Sequence, residues 1–158
     1  MYRILCVFFL ICVSFKVTAK ELNDNLKRYV ESWQMIDSAQ RLIILESLVT
    51  APFYYDDPTT EKVTINSAKK LNQWIDDFHV QMRTDNIWPI SAQLISEIDS
   101  RTTERGSVFR FNWRISSHDT TLIEGTDFGK ANKQAKLTEV NGFFGLPIPI
   151  KPVSDHND

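Results

Sequence analysis

Cysteine is almost missing from this chain. Cys6 and Cys12 both fall within residues 1–19, and no other follows. From residue 20 onward there can be no disulfide, thiolate nucleophile or cysteine metal site. Glycine is scarce too, with five residues and no glycine-rich loop of the kind that cradles phosphates. The three histidines, His79, His118 and His156, stand far apart in sequence with no metal-ligand spacing, so no metal or other cofactor is expected. Basic residues are not in excess, at 18 against 20 acidic ones. That balance disfavours nucleic acid as a partner, because its phosphates select a basic patch. No apolar run reaches the roughly 20 residues that cross a bilayer as a helix.

The longest such run, Ile4 to Val13, has Arg3 before it and the small-residue pattern Val17-Thr18-Ala19 after it. Residues 1–19 therefore read as a signal peptide cleaved after Ala19, leaving a secreted or periplasmic protein without a stable membrane anchor. At the other end, residues 146–158 hold three of the six prolines and finish polar. This is the composition of an extended or disordered tail, since proline continues neither a helix nor a central strand. One domain, residues 20–145, lies between them.

Within it, Leu22, Leu26, Tyr29, Val30 and Trp33 make one stripe of an amphipathic helix. Asp37 with Gln40 three residues on opens a second helix, which runs through RLIILESLV and stops before Pro52. Asn66 or Ser67 caps a third, with Leu71, Trp74, Ile75, Phe78 and Met82 on its buried face. From about residue 92 the period falls to two. Phe109, Phe111, Trp113 and Ile115 share one strand face, and Arg110, Asn112, Arg114 and Ser116 the other. His118-Asp119 marks a hairpin turn, and TLIEGTDFG and KLTEVNGFFG are further strands. Three helices followed by antiparallel strands define an α+β layout.

Taken in order, LKRYVESWQMID, YYDDP, LNQWIDDF, FRFNWRI, EGTDFG and LTEVNGFFG resemble SnoaL-like members of the nuclear transport factor 2-like superfamily, over about residues 21–145. The resemblance implies a cone-shaped α+β fold, with three N-terminal helices on a strongly curved antiparallel sheet that encloses a mostly apolar cavity. The superfamily includes ketosteroid isomerases, polyketide cyclases, epoxide hydrolases and non-catalytic binders, so the fold leaves function open.

Similarity to the ketosteroid isomerase branch implies three catalytic positions. Tyr29, in Arg28-Tyr29, and Asp127, in EGTDFG, would donate hydrogen bonds to an enolate oxygen, while Asp57, before Pro58, would move the proton. For Asp127 to stay protonated it needs an apolar setting, such as Phe109, Phe111, Trp113 and Phe143. Other duties stay open: a turn for Asp57, core packing for Tyr29, and a bond to backbone or to Arg114 for Asp127. Epoxide-hydrolase-like members need Arg-x-Asp on a strand, and Arg110-Phe111-Asn112 ends in an amide. His79 reads as a partly exposed helix-end residue, with a lone cavity base as the other reading. Trp33, Tyr55, Trp74, Phe78, Phe111, Trp113 and Phe143 are the aromatics expected to line the cavity. The expected role is to hold a small, largely apolar molecule, with an acid–base isomerase or cyclase as the alternative. A homodimer through the outer sheet face, around Arg110, Asn112 and Arg114, is the expected assembly.

Overall fold

A computed structural model describes residues 19–145. The expected leader over 1–19, apart from Ala19, and the tail over 146–158 lie outside the described residues. Helices α1 (Ala19–Ser32), α2 (Ser38–Leu48) and α3 (Ala68–Thr84) accompany six strands. These are β1 (Val49–Asp56), β2 (Ile90–Leu94), β3 (Asp99–Thr103), β4 (Gly106–Ser117), β5 (Thr120–Ala131) and β6 (Leu137–Phe144). Together they form one curved, open sheet in the order β1-β6-β5-β4-β2, with β3 on the other half of β4. Among the described residues no helix is long and apolar enough to cross a membrane.

The helix starts follow from their caps. Asp37 accepts the amides of Ala39 and Gln40 at 3.0 Å, and Ser67 accepts that of Lys70. Each satisfies donors that the first helical turn leaves without a partner. The apolar stripe of α1 buries Leu22, Leu26, Tyr29 and Val30, and α3 buries Leu71 and Ile75. These meet Leu45 and Leu48 of α2 and the sheet residues Phe53, Leu137 and Val140. Fully burying side chains of this size stabilises by about 1.5–3 kcal/mol each.

Two expectations need correction. The helices do not all precede the strands: α2 stops at Leu48, and the next residues form β1 before α3 begins. In β1 Phe53 and Tyr55 are buried between the exposed Pro52, Tyr54 and Asp56, a short period of two that the preceding leucines mask. Pro52 is tolerated because β1 is an edge strand whose ladder is irregular between Val49 and Tyr54. Nor is the sheet wholly antiparallel, since β1 runs parallel to β6. Only tight hairpins force antiparallel pairing, and these two strands are joined through most of the fold.

His79 is corrected as well. It is buried rather than partly exposed, with Nε2 2.7 Å from the Trp33 carbonyl and its ring edge-on to Trp88 at 5.0 Å. Burial lowers its pKa first, and the charges of Arg41 and Arg83 add to that; the Trp33 carbonyl and Asp76 oppose it.

Candidate functional site

A pocket of about 340 Å³ opens between the helices and the inner face of the sheet. Its apolar wall comes from Trp33 just after α1, Trp74 and Phe78 of α3, Tyr55 of β1, and Trp113 and Ile115 of β4. Ala92, Ile123 and Phe144 complete that wall. Tyr29, Asp57 and Asp127 lie in the same lining, and Asp77, Gln81, Thr59 and Arg114 also border it.

Gly142 explains how Asp127 of β5 and Asp57, just past the end of β1, approach the same point of β6. Asp127 on β5 pairs across from Gly142 on β6, and on the far side of β6 Asp56 of β1 pairs with Asn141. A methyl group on Gly142 would stand 3.1 Å from Asp127 Oδ1 and 3.3 Å from Asp57 Cβ. Both acids therefore lean over a strand that has no side chain at that point. A glycine inside a strand signals such a close approach, and this one was readable in VNGFFG. Gly125 does the same for Trp113: an added Cβ would lie 2.3 Å from the indole, which occupies the space a side chain would need there. The Trp113 Nε1–H then donates to Asp127 Oδ1 at 2.6 Å.

Asp127 is 5% exposed. Burial pushes its carboxyl up to about 7; the Trp113 hydrogen bond holds back part of the rise and the Asp57 charge adds to it. Arg114, the alternative partner, is instead paired with Glu124 at 2.5 Å. Asp57 does serve the turn: its Oδ1 accepts the Thr59 amide at 2.7 Å and the Thr59 hydroxyl at 2.5 Å. Its Oδ2 accepts the Tyr55 hydroxyl at 2.6 Å, which holds the carboxylate at the pocket wall. Turn duty and pocket lining thus fall to one residue. Its neighbour Asp56 is exposed and takes a hydrogen bond from Thr60.

Tyr29 is 1% exposed, and its hydroxyl has no hydrogen-bond partner among the described residues. Burial raises its pKa well above the usual phenol range, and Asp127 and Asp57 reinforce that. Trp33 opposes the rise without reaching normal hydrogen-bond geometry. Burial likewise raises Tyr55, with the charges of Tyr29, Asp127 and Asp57 adding to it. Both phenols remain O–H donors. A buried hydroxyl left unpaired costs about 1–3 kcal/mol, so Tyr29 is a group waiting for a partner from the pocket.

Five of the seven expected aromatic liners, Trp33, Tyr55, Trp74, Phe78 and Trp113, border the pocket. Phe111 and Phe143 do not. Phe111 faces inward but packs in the core, stacked on Phe109 at 6.0 Å. Phe143 is on the outer face, half exposed and stacked on Phe128 at 5.3 Å, so it cannot desolvate Asp127. Pairing Gly142 with Asp127 sets the phase of β6, and with a period of two this turns Phe143 out and Phe144 in. Phe144 is the aromatic liner that was not expected, edge-on to Trp113 at 6.3 Å. Among the described residues no three of His, Cys, Asp and Glu are grouped to hold a metal ion.

No family model matches the sequence, and no curated protein matches it. Solved structures do match the fold. A SnoaL-like family protein from Agrobacterium tumefaciens, proposed to be an isomerase, aligns with TM-score 0.64 at 18% identity, covering 80% of this chain and 99% of its own. A nuclear transport factor 2-like protein with a cystatin-like fold from Novosphingobium aromaticivorans gives TM-score 0.63 at 10% identity, covering 79% and 80%. A protein proposed to be a ketosteroid isomerase, from Parabacteroides distasonis, gives 0.52 at 14% identity, covering 77% and 86%. The chain has the nuclear transport factor 2-like fold, as the sequence resemblance implied.

Proposed function

We propose that this domain binds a small, largely apolar molecule whose one polar group meets Tyr29 and Asp127. The observation that carries the reading is the buried Tyr29 hydroxyl, unpaired and bordering a pocket walled by aromatic side chains. A ligand supplying that hydrogen bond removes an existing cost, while its apolar body gains about 25 cal/mol for each Å² taken from water. Trp33, Trp74 and Trp113 line the pocket, so their fluorescence reports occupancy. Titration with small cyclic ketones and aryl alcohols is expected to saturate. Tyr29→Phe should weaken binding about five- to ten-fold, the worth of one hydrogen bond. Saturation unaffected by Tyr29→Phe would remove the hydroxyl from the reading.

A second reading, acid–base catalysis on an enolizable carbonyl compound, is supported by the meeting of Asp57 and Asp127 over Gly142. Asp57 would take a carbon-bound proton while Tyr29 and neutral Asp127 donate to the oxygen. Its test is hydrogen–deuterium exchange at the α-carbon of a bound ketone, followed by NMR. Asp57→Asn should stop the exchange and leave binding in place; exchange that continues in this variant rules Asp57 out as the base.

Export through a leader ending at Ala19 belongs to the same proposal, and N-terminal sequencing of the secreted protein tests it. So does a homodimer through the outer sheet face. There the Phe128–Phe143 stack and Val108 stand exposed beside the Arg110–Asp99 and Lys130–Glu139 ion pairs. An apolar centre with charges of both signs around it is self-complementary to a second copy.

A further inference from the structure

Apart from Arg114, the charged side chains around the pocket are acidic. Asp57 and Asp127 stand together over Gly142, and exposed Asp77 borders the pocket from α3. The one cationic side chain in the lining, Arg114, is already paired with Glu124 through both Nε and a terminal nitrogen. No Lys or His borders the pocket among the described residues. An anionic ligand would meet these carboxylates uncompensated in a partly desolvated site.

The walls point the same way. The Trp33 and Tyr55 rings meet at 48° with centroids 5.7 Å apart, and Trp33 and Phe78 meet at 72° and 6.0 Å. Rings set at such angles form a corner rather than a stack, and all three residues line the pocket. A cation within about 6 Å of an aromatic face gains from about 0.5 kcal/mol where exposed to 2 or more once desolvated. The Tyr29 oxygen is the independent sign of a ligand here. It is unpartnered and buried, and a phenol oxygen can accept from an N–H as well as donate.

We propose that the pocket takes an organic cation, an ammonium group carried on a small apolar body. This rests on the binding reading above and adds the charge of the ligand. The ammonium sits between Asp57 and Asp127, with the Tyr29 oxygen as a further acceptor, and the apolar body lies against Trp33, Phe78 and Trp113. Such a charge favours the ionised form of Asp127, whose carboxyl is otherwise pushed up to about 7 by burial and by Asp57. The other titratable groups bordering the pocket are Asp57, Asp77, Tyr29 and Tyr55, the two tyrosines held protonated, with Arg114 the one cation and paired to Glu124. Binding near pH 7 should therefore release a proton from Asp127, and affinity should fall as pH drops below 7.

Three probes with nearly the same body separate the outcomes: 2-phenylethylamine, 2-phenylethanol and phenylacetate, titrated into the protein and followed by tryptophan fluorescence and calorimetry. The amine is expected to bind at least ten-fold tighter than the alcohol, with phenylacetate weakest. Calorimetry in buffers of different ionisation heat should show proton release with the amine and none with the alcohol. Asp57→Asn should cancel most of the amine's advantage over the alcohol. Equal binding of amine and alcohol, or tighter binding of phenylacetate, overturns the inference and leaves the binding reading standing. Failure of all three to bind up to millimolar concentration overturns both.

Discussion

Asp127 is the residue on which most of the site's chemistry turns. Its carboxyl is held near 7, above its ordinary value of 3.8, by burial before any other cause. Between those two pH values the folded state therefore keeps a proton that the unfolded chain has lost. The resulting stability is fully present below about 3.8 and is lost as pH rises through 7, a change on the order of 4 kcal/mol. Urea denaturation from pH 4 to 8 should show that decline in the wild type and a flatter profile in Asp127→Asn. Gly142 matters at the same scale. In Gly142→Ala the new methyl would press on Asp127 Oδ1 and Asp57 Cβ. Expected losses are about 1–3 kcal/mol of stability, as in other overpacked sites, and a displaced Asp127 titration by carboxyl NMR.

Helices α2 and α3 are joined by one cation. Arg41 is fully buried and donates to Asn72 Oδ1 at 2.7 Å, to the Met35 carbonyl at 2.5 Å and to Asp76. Ser38 closes the network, accepting from Asn72 at 2.9 Å and donating to Asp76 at 2.6 Å. Arg41→Ala would leave these acceptors without their donor, so a loss of about 3–5 kcal/mol is expected in chemical denaturation, less for Arg41→Met, which refills the volume. His79 belongs to the same helix pair and supports the pocket from outside it, because its bond to the Trp33 carbonyl fixes a lining residue. Its folded pKa is lowered, so it contributes stability above the unfolded value of about 6.5 that is lost as pH falls below it. His79→Gln should abolish this acid-side loss, read as the difference in urea midpoint between variant and wild type from pH 7 to 5, because the opposite Asp127 contribution is common to both.

Across the whole molecule the sheet has two uses. Its inner face carries the core and the pocket, while Phe128, Phe143 and Val108 remain on the outer face. If that face joins two copies, light scattering after size exclusion should give twice the chain mass. Phe128→Ser with Phe143→Ser should then yield a monomer that still binds in the pocket, since neither side chain borders it.

The stripe of α1, the Asp37 and Ser67 caps and the alternation of β4 were legible in the sequence, because each depends on neighbours a few residues away. So was the turn at His118, which has φ 51. The resemblance also carried Tyr29, Asp57 and Asp127 to one pocket. Long-range pairing decided the rest. It made β1 a parallel edge strand, turned Phe143 outward and Phe144 inward, and placed His79 under Trp33 and Trp88. It also brought two carboxylates together over Gly142. Local pattern selects which elements form, whereas register between strands distant in sequence selects which side chains meet, and a shift of one residue exchanges the two faces of a strand.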